Sequence, residues 1–219
     1  MRNIYVFFLF LSISTASYSQ NVDIDLLRHI NVNRNESFDP AFTFITHSVT
    51  PLSIAVPAGA ITYAVIKKDD QSIQNAVEIS SSVILSGIIS LGLKHTVNRE
   101  RPFETYPFIE QATSVSTASF PSGHTTHAFA LATSVSLVYP DWYIIVPSYL
   151  WAGAVGYSRM HLGVHYPSDV LAGAIVGSGS AYLCHKINQK ITNKYGGIKF
   201  YSTVMSDKYV QFTLIMPLN

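Results

Sequence analysis

The sequence predicts an all-α protein, a transmembrane helical bundle of about five spans followed by a short C-terminal β-hairpin-like tail. Three observations favour this fold class. Only 12% of the 219 residues are charged, whereas an average soluble domain has about 25%. The mean hydropathy is positive, at +0.24. The uncharged residues are gathered into long runs, which is typical of helices that cross a bilayer.

Composition excludes several other classes of protein. An apolar fraction of 48% excludes a disordered chain. A formal net charge of +1, without a basic run, disfavours binding to nucleic acid through bulk charge. The single cysteine, Cys184, excludes an intrachain disulfide and a zinc site built from several cysteines.

Residues 1–19 have the pattern of a secretory signal peptide. Arg2 precedes an apolar run, and Ser17 and Ser19 supply small side chains at the expected cleavage site. The alternative is an uncleaved first transmembrane helix. Both interpretations place the chain from residue 20 onward on the exported side of the membrane.

The predicted spans follow in order along the chain. They are the uncharged run 48–66, the run 79–93, two arms of the stretch 125–157 divided at Pro140 and Asp141, and the run 170–184. Buried helices of a soluble protein are also apolar all round. Five such segments, however, would leave few residues to form a water-exposed surface. The sequence therefore favours an integral membrane protein over a soluble one.

The topology places most of the concentrated polar residues outside. With residue 20 outside, the stretches 94–124 and 158–169 are exported. Lysines then cluster on the inner side, at Lys67, Lys68, Lys186, Lys190 and Lys194, in agreement with the positive-inside rule.

Two segments flank the predicted spans. Residues 22–48 mix apolar and polar side chains and could form an amphipathic helix at the membrane interface. Residues 195–219 alternate and are rich in β-branched and aromatic side chains around Ser206, which predicts a β-rich tail of unknown role. We therefore expect one main domain over residues 20–194.

The first polar motif runs from Lys94 to Pro102. On a helix, Lys94 and Arg101 would lie on one face, two turns apart. Two cations at a membrane surface suit a dianionic phosphate. The alternative is a basic cluster that binds lipid headgroups without catalysis.

The second motif, Pro121-Ser122-Gly123-His124, leads into an apolar helix. Ser122 or Thr125 could cap this helix, whose free N–H groups would attract an anion. Gly123 permits close approach of the backbone, and His124 can donate a proton near neutral pH. The alternative is a plain turn with an incidental histidine.

The third motif runs from Ser158 to Asp169. Arg159 offers a planar set of donors that matches phosphate oxygens. Asp169 lies one helical turn after His165, so its carboxylate could orient the imidazole and leave the other ring nitrogen free as a nucleophile. The alternative is a structural His–Asp pair.

Together the three motifs resemble the type 2 phosphatidic acid phosphatase (PAP2) superfamily. The family pattern is K-x6-R-P, P-S-G-H and S-R-x5-H-x3-D, and this chain matches it in order from Lys94 to Asp169. The resemblance covers roughly residues 35 to 190. It does not include the predicted signal peptide or the tail.

The resemblance implies a metal-independent phosphatase that needs no cofactor. It implies that His165 attacks phosphorus and forms a phosphohistidine, that Asp169 orients it, and that His124 protonates the leaving oxygen and then activates water. The residues implied to hold the phosphoryl oxygens are Lys94, Arg101, Ser122, Gly123 and Arg159. Four further residues fall outside the matched positions: His95, Arg99, His127 and His161. We expect them to lie behind the site or to be incidental to it, and of the four His161 is the strongest candidate to line it.

The expected substrate is a phosphorylated membrane lipid: a lipid A phosphate, undecaprenyl pyrophosphate, phosphatidylglycerol phosphate or phosphatidate. The expected location is a bacterial inner membrane, with the active site facing the periplasm. One alternative is a soluble exported acid phosphatase of the same superfamily. Another is a catalytically silent membrane or binding protein that retains the fold.

Overall fold

A computed structural model of the chain describes residues 22–195, 199–206 and 209–215. The predicted signal peptide, residues 1–19, lies outside the described residues, as do residues 207–208 in the tail. The helices are α1 (22–31), α2 (Asp39–His47), α3 (Val49–Lys67), α4 (Asp70–Val97), α5 (Pro102–Thr105), α6 (Gly123–Val138), α7 (Trp142–His161) and α8 (Pro167–Tyr195), with a 3₁₀ turn at Glu36–Phe38. Strands β1 (Lys199–Ser206) and β2 (Tyr209–Ile215) pair antiparallel.

Three helical segments of the described chain are long and apolar enough to cross a membrane. They are Glu36–Lys67, Asp70–Thr105 and Pro167–Lys194. The sequence predicted about five spans, and the other two predicted arms correspond to α6 and α7. Helix α6 has 16 residues, fewer than the ~20 that an unaided span requires.

Helix α6 lies at the centre of the bundle, in contact with α3, α4, α7 and α8. Its contact with α8 is the closest. A Cβ atom added at Gly173 would lie 2.7 Å from the Ser122 carbonyl oxygen, and one added at Gly177 would lie 2.2 Å from that of Thr126. Glycines at this spacing allow two helix backbones to meet inside a membrane. The contact brings the start of α8 beside the start of α6, where the Ser122 N–H donates to the Asp169 carbonyl at 3.0 Å.

The helices alternate in direction, so several of their ends meet at one end of the bundle. One cavity is lined by Val49 at the start of α3, Gly123 at the start of α6, and Lys94 and Arg159 near the ends of α4 and α7. Helix N-termini carry partial positive charge. The full positive charges of Lys94 and Arg159, together with the N-termini of α3 and α6, therefore make this end of the bundle favourable for an anionic ligand.

The end of α4 corrects one sequence prediction. The helix stops at Val97, and Asn98 adopts a left-handed conformation with φ 44°. Arg101 therefore does not share a helix face with Lys94, as the spacing had predicted. The two cations still meet in space, because both line the same cavity.

The segment predicted as one amphipathic helix, residues 22–48, is divided into α1, the 3₁₀ turn and α2. Helix α1 buries Ile24 and Leu27 against Ile109 and Tyr166. It therefore packs on the loops around the cavity, and this contact fixes its position over them.

Candidate active site

The cavity at the meeting point of the helix ends has a volume of about 560 Å³. Six of the residues predicted from the motifs line it: Lys94, Arg101, Gly123, His124, Arg159 and His165. They come from α4, α6, α7 and the loops that follow α4 and α7. The fold thus brings together side chains that are far apart in the sequence.

Backbone carbonyls of the loop before α6 hold two of the cations. Lys94 Nζ donates to the Ala118 carbonyl, and Arg101 Nε donates to that of Thr117 at 2.8 Å. Arg101 Nη1 also donates to the Val164 carbonyl at 2.7 Å. Carbonyls orient these side chains without neutralising their charge, so both cations keep the capacity to bind an anion.

Arg159 is almost fully buried, with 2% of its surface exposed. Its Nη1 donates to Thr46 Oγ1 at 2.8 Å, while its buried Nε has no hydrogen-bond partner in the described ranges of the chain. Within the described part of the chain, Arg159 forms no ion pair with a carboxylate. A buried cation without a counter-charge is costly, and a phosphate in the cavity would offset that cost.

His165 lies between the cavity and the Asp169 carboxylate. Its Nδ1 is 3.5 Å from Asp169 Oδ2, which is longer than an ordinary hydrogen bond. Ser119 Oγ donates to the same carboxylate oxygen at 2.5 Å, and the Tyr166 N–H donates to it at 3.0 Å. His165 Nε2 points the other way, 3.4 Å from Arg101 Nη1. The imidazole therefore presents Nε2 to the cations and Nδ1 to the carboxylate.

Burial controls the protonation of His165. It lowers the pKa of the imidazole from 6.5 to about 3, although the Asp169 carboxylate opposes the shift. The guanidinium groups of Arg159 and Arg101 lower the pKa further. The side chain is therefore neutral at physiological pH, the state that a nucleophile requires.

The structure adds Arg99 to the site. Its Nη1 donates to Asp169 Oδ1 at 2.8 Å, and its Nη2 donates to Asp23 Oδ2 at 2.8 Å. Its guanidinium group also stacks 3.7 Å above the Tyr166 ring. Arg99 lies within the first motif but outside its matched positions, and Asp23 precedes the segment covered by the resemblance. No signal in the sequence joined these two residues to Asp169.

Ser122 is placed differently from the other predicted phosphate ligands. Its hydroxyl is fully buried and lies 2.8 Å from Thr125 Oγ1. The side chain does not line the cavity, and it makes no side-chain capping bond to α6. Contact between Ser122 and a phosphate remains a prediction.

The expectation that His161 lines the site was wrong. Its Nε2 lies 2.9 Å from Asp39 Oδ1, and its ring packs on Phe42 of α2. This histidine joins α7 to α2, away from the cavity. His127, one turn after His124 on α6, lines the cavity instead.

The described residues contain no cluster of three or more His, Cys, Asp or Glu side chains that could hold a metal ion. Asp169 is engaged by Arg99, Ser119 and the Tyr166 N–H. The arrangement can bind a tetrahedral anion and present a neutral imidazole to it.

Comparison with known proteins gives three related results. The chain is 33% identical over 95 residues to the lipid A 4'-phosphatase of Bacteroides thetaiotaomicron, covering 43% of this chain and 42% of that protein. It is 28% identical over 193 residues to the undecaprenyl-diphosphatase of Sulfolobus acidocaldarius, covering 82% and 87% of the two chains. The crystal structure of Aquifex aeolicus LpxE superposes with a TM-score of 0.65 at 27% identity, covering 75% of this chain and 95% of that one.

The first of these alignments spans less than half of the curated relative, so it describes a shared region rather than a shared whole. The model of the PAP2 superfamily matches residues 75–193, more than half of the chain. That range includes all three motifs and the cavity residues of α4, α6 and α7. The chain belongs to the PAP2 superfamily.

Proposed function

We propose that this protein is a membrane phosphatase that hydrolyses a phosphate ester or diphosphate of a lipid through a phosphohistidine on His165. The observation that carries the proposal is the cavity that Lys94, Arg101 and Arg159 line together with the His165 imidazole. Lipid A phosphates and undecaprenyl diphosphate are candidate substrates, because the similar proteins are named for them. Phosphatidylglycerol phosphate and phosphatidate are further candidates.

In the first step, His165 Nε2 attacks phosphorus and the bond to the leaving oxygen breaks. The three cations hold the phosphoryl oxygens and stabilise the charge that develops on them. His124 donates a proton to the leaving oxygen, so the lipid departs as an alcohol or as a lipid phosphate. Asp169 holds the Nδ1–H side of His165 and stabilises the positive charge that the ring acquires.

In the second step, His124, now neutral, takes a proton from water as the water attacks the phosphohistidine. The P–N bond breaks, phosphate leaves, and His165 returns to its neutral form. Both steps use the same anion site, and neither requires a metal ion. Full activity in EDTA and inhibition by vanadate, a mimic of five-coordinate phosphorus, are the expected results.

For the membrane topology we propose five spans, α3, α4, α6, α7 and α8, in a bacterial inner membrane. The cavity would then face the periplasm, and the lysines Lys67, Lys68, Lys186, Lys190 and Lys194 would lie on the cytoplasmic side. The lysine distribution supports this orientation. The proposed catalytic domain is residues 20–194, after a signal peptide or uncleaved helix at 1–19, and the tail 195–219 has no assigned role.

A soluble exported acid phosphatase is not favoured. Large apolar side chains are exposed along the long helices, among them Ile54 at 67%, Ile88 at 64% and Leu150 at 69%. Such exposure is unusual on a water-facing surface of this extent. Release of the protein from membranes by carbonate without detergent would contradict the membrane assignment.

The test is phosphate release by the purified protein in detergent. The substrates are lipid A, undecaprenyl diphosphate, phosphatidylglycerol phosphate, phosphatidate and a water-soluble aryl phosphate. Acid-labile label on the protein after quenching with labelled substrate, absent in His165→Ala, is the result expected for a phosphohistidine. Full activity of His165→Ala would overturn the mechanism.

A further inference from the structure

The cavity continues below the phosphate end, between α4 and α6. These helices run antiparallel, so residues further along α6 contact residues further back along α4. A Cβ atom added at Gly123 would lie 3.7 Å from Lys94 Cε, and one added at Gly87 would lie 3.0 Å from Cε1 of His127. His127 lies one turn, about 4.5 Å, below His124 along α6. Because Gly87 has no side chain, the imidazole of His127 fits against α4.

Two buried polar atoms in this lower part have no hydrogen-bond partner among the residues that the structure describes. They are Nδ1 of His127 on α6 and Oγ of Ser53 on α3, and both residues line the cavity. A buried polar atom without a partner costs about 1–3 kcal/mol. Two such atoms on the walls of one cavity indicate a ligand group that hydrogen-bonds to them.

The surroundings of these two atoms are neutral and partly apolar. Val49, Ile54 and Val83 line the cavity beside them. The cations of the cavity, Lys94, Arg101 and Arg159, belong to the phosphate end described above. A second phosphate would therefore lack a counter-charge here, whereas a hydroxyl, amide or ester group could bind both atoms.

From this geometry we infer that His127 and Ser53 form a subsite for a neutral polar group of the lipid, next to the phosphate. The inference rests on the proposed function and narrows its substrate class. The preferred substrate is a phosphomonoester on a sugar or glycerol backbone, and a diphosphate on a polyprenyl chain is a poor one. His127 and Ser53 thus determine specificity, while His165 and His124 carry the chemistry.

The experiment compares kcat/KM for two lipid phosphates that differ in the neutral groups beside the phosphate. Dioctanoyl phosphatidate carries two carboxylic esters, and hexadecyl phosphate carries none. We expect His127→Leu and Ser53→Ala each to lower the ratio of kcat/KM, phosphatidate over hexadecyl phosphate, by about tenfold, the order of one lost hydrogen bond. Farnesyl diphosphate should be a poorer substrate of the wild type than phosphatidate.

Two glycine variants of α4 supply a matched pair. Gly87→Ala should displace the His127 ring and lower the same ratio. Gly92→Ala adds the same methyl group to the same helix where no atom lies within 4 Å, so it should leave the ratio unchanged. Gly87→Ala and Ser53→Ala decide the question if His127→Leu does not fold.

A ratio that stays within twofold of wild type in both Gly87→Ala and Ser53→Ala would overturn the inference. A wild-type preference for farnesyl diphosphate over phosphatidate would also overturn it. In either case, release of phosphate from any of the lipid substrates by the wild type would leave the proposed function standing. If the wild type released phosphate from none of these compounds, the proposed function would fail and the inference with it.

Discussion

Two buried polar clusters lie about 24 Å apart along α4, and they differ in how completely they are paired. In the inner cluster, Glu78 Oε1 meets His185 Nδ1 at 2.8 Å, and Glu78 Oε2 accepts from Asn188 at 3.0 Å. Thr192 donates to Gln74 Oε1 at 3.0 Å. Each of these side chains therefore has a partner on the facing helix.

The outer cluster, around the cavity, is left incomplete by comparison. Arg159 Nε finds no partner among the described residues, and Lys94 and Arg101 donate to neutral carbonyls. A bilayer penalises unpaired polar groups, so a purely structural cluster is expected to satisfy itself, as the inner one does. Positively charged hydrogen-bond donors that lack an anionic partner therefore indicate a site that binds an anion.

The largest difference between the clusters should appear when one histidine of each is replaced. His165→Asn should lower kcat/KM by about 10³-fold or more, because the proposed nucleophile is lost. His185→Asn disturbs the contact with Glu78 in the inner cluster and should leave kcat/KM within about threefold of wild type, since that contact lies far from the cavity. Phosphate release by the two purified variants measures both. Equal losses of kcat/KM in the two variants would contradict the assignment of catalysis to the outer cluster alone.

The next effect concerns Arg99, which touches the carboxylate behind His165 rather than the cavity. Arg99→Leu removes the contacts to Asp169 and Asp23 and should lower kcat by about 10- to 100-fold, as loss of an orienting partner commonly does. KM should change little, because the phosphate ligands remain. Steady-state kinetics separate the two constants. An increase in KM at unchanged kcat would place Arg99 among the phosphate ligands instead.

A smaller effect, on stability, is expected in the inner cluster. Glu78→Ala leaves His185 and Asn188 without their acceptor and should lower the free energy of unfolding by about 1–3 kcal/mol. Thermal unfolding in detergent measures the loss. Activity at a temperature where the variant is folded should equal that of wild type; a catalytic defect there would mean that the inner cluster takes part in turnover.

The last prediction concerns the pH dependence of stability. The pKa of His165 is about 3 in the folded protein and about 6.5 in an unfolded chain. Between these values the unfolded state binds more protons, so this group's contribution to stability is lost as pH falls from 6.5 toward 3. His165→Gln should flatten the unfolding temperature against pH in that window. An unchanged slope would show that His165 is not buried as a neutral ring.

Much of the site could be predicted from the sequence because its chemistry lies at fixed spacings. The motifs predicted Lys94, His124 and His165 as site residues, and all three line the cavity. The uncharged runs predicted the long helices. The prediction that Lys94 and Arg101 share a helix face was wrong, because the left-handed Asn98 ends α4 between them. Helical spacing holds only as far as the helix continues.

The remaining site residues could not be predicted, because their contacts join segments far apart in the chain. Arg99 meets Asp23, and Arg159 meets Thr46, only once the bundle has formed. The error at His161 has the same origin, since a histidine near a helix end can face the cavity or a neighbouring helix, and here α2 provides the carboxylate of Asp39. Partners of this kind follow from packing and not from spacing.

The link from Asp23 through Arg99 to Asp169 also bears on when the enzyme can first act. Asp23 emerges from the ribosome early, Arg99 midway and Asp169 late. The site is complete only after α8 has packed into the bundle, because Asp169 in its first turn contacts the guanidinium of Arg99. A partly synthesised chain would therefore contain Asp23 and Arg99 without Asp169 and would be inactive. Hydrolysis would begin only after the last helix had packed.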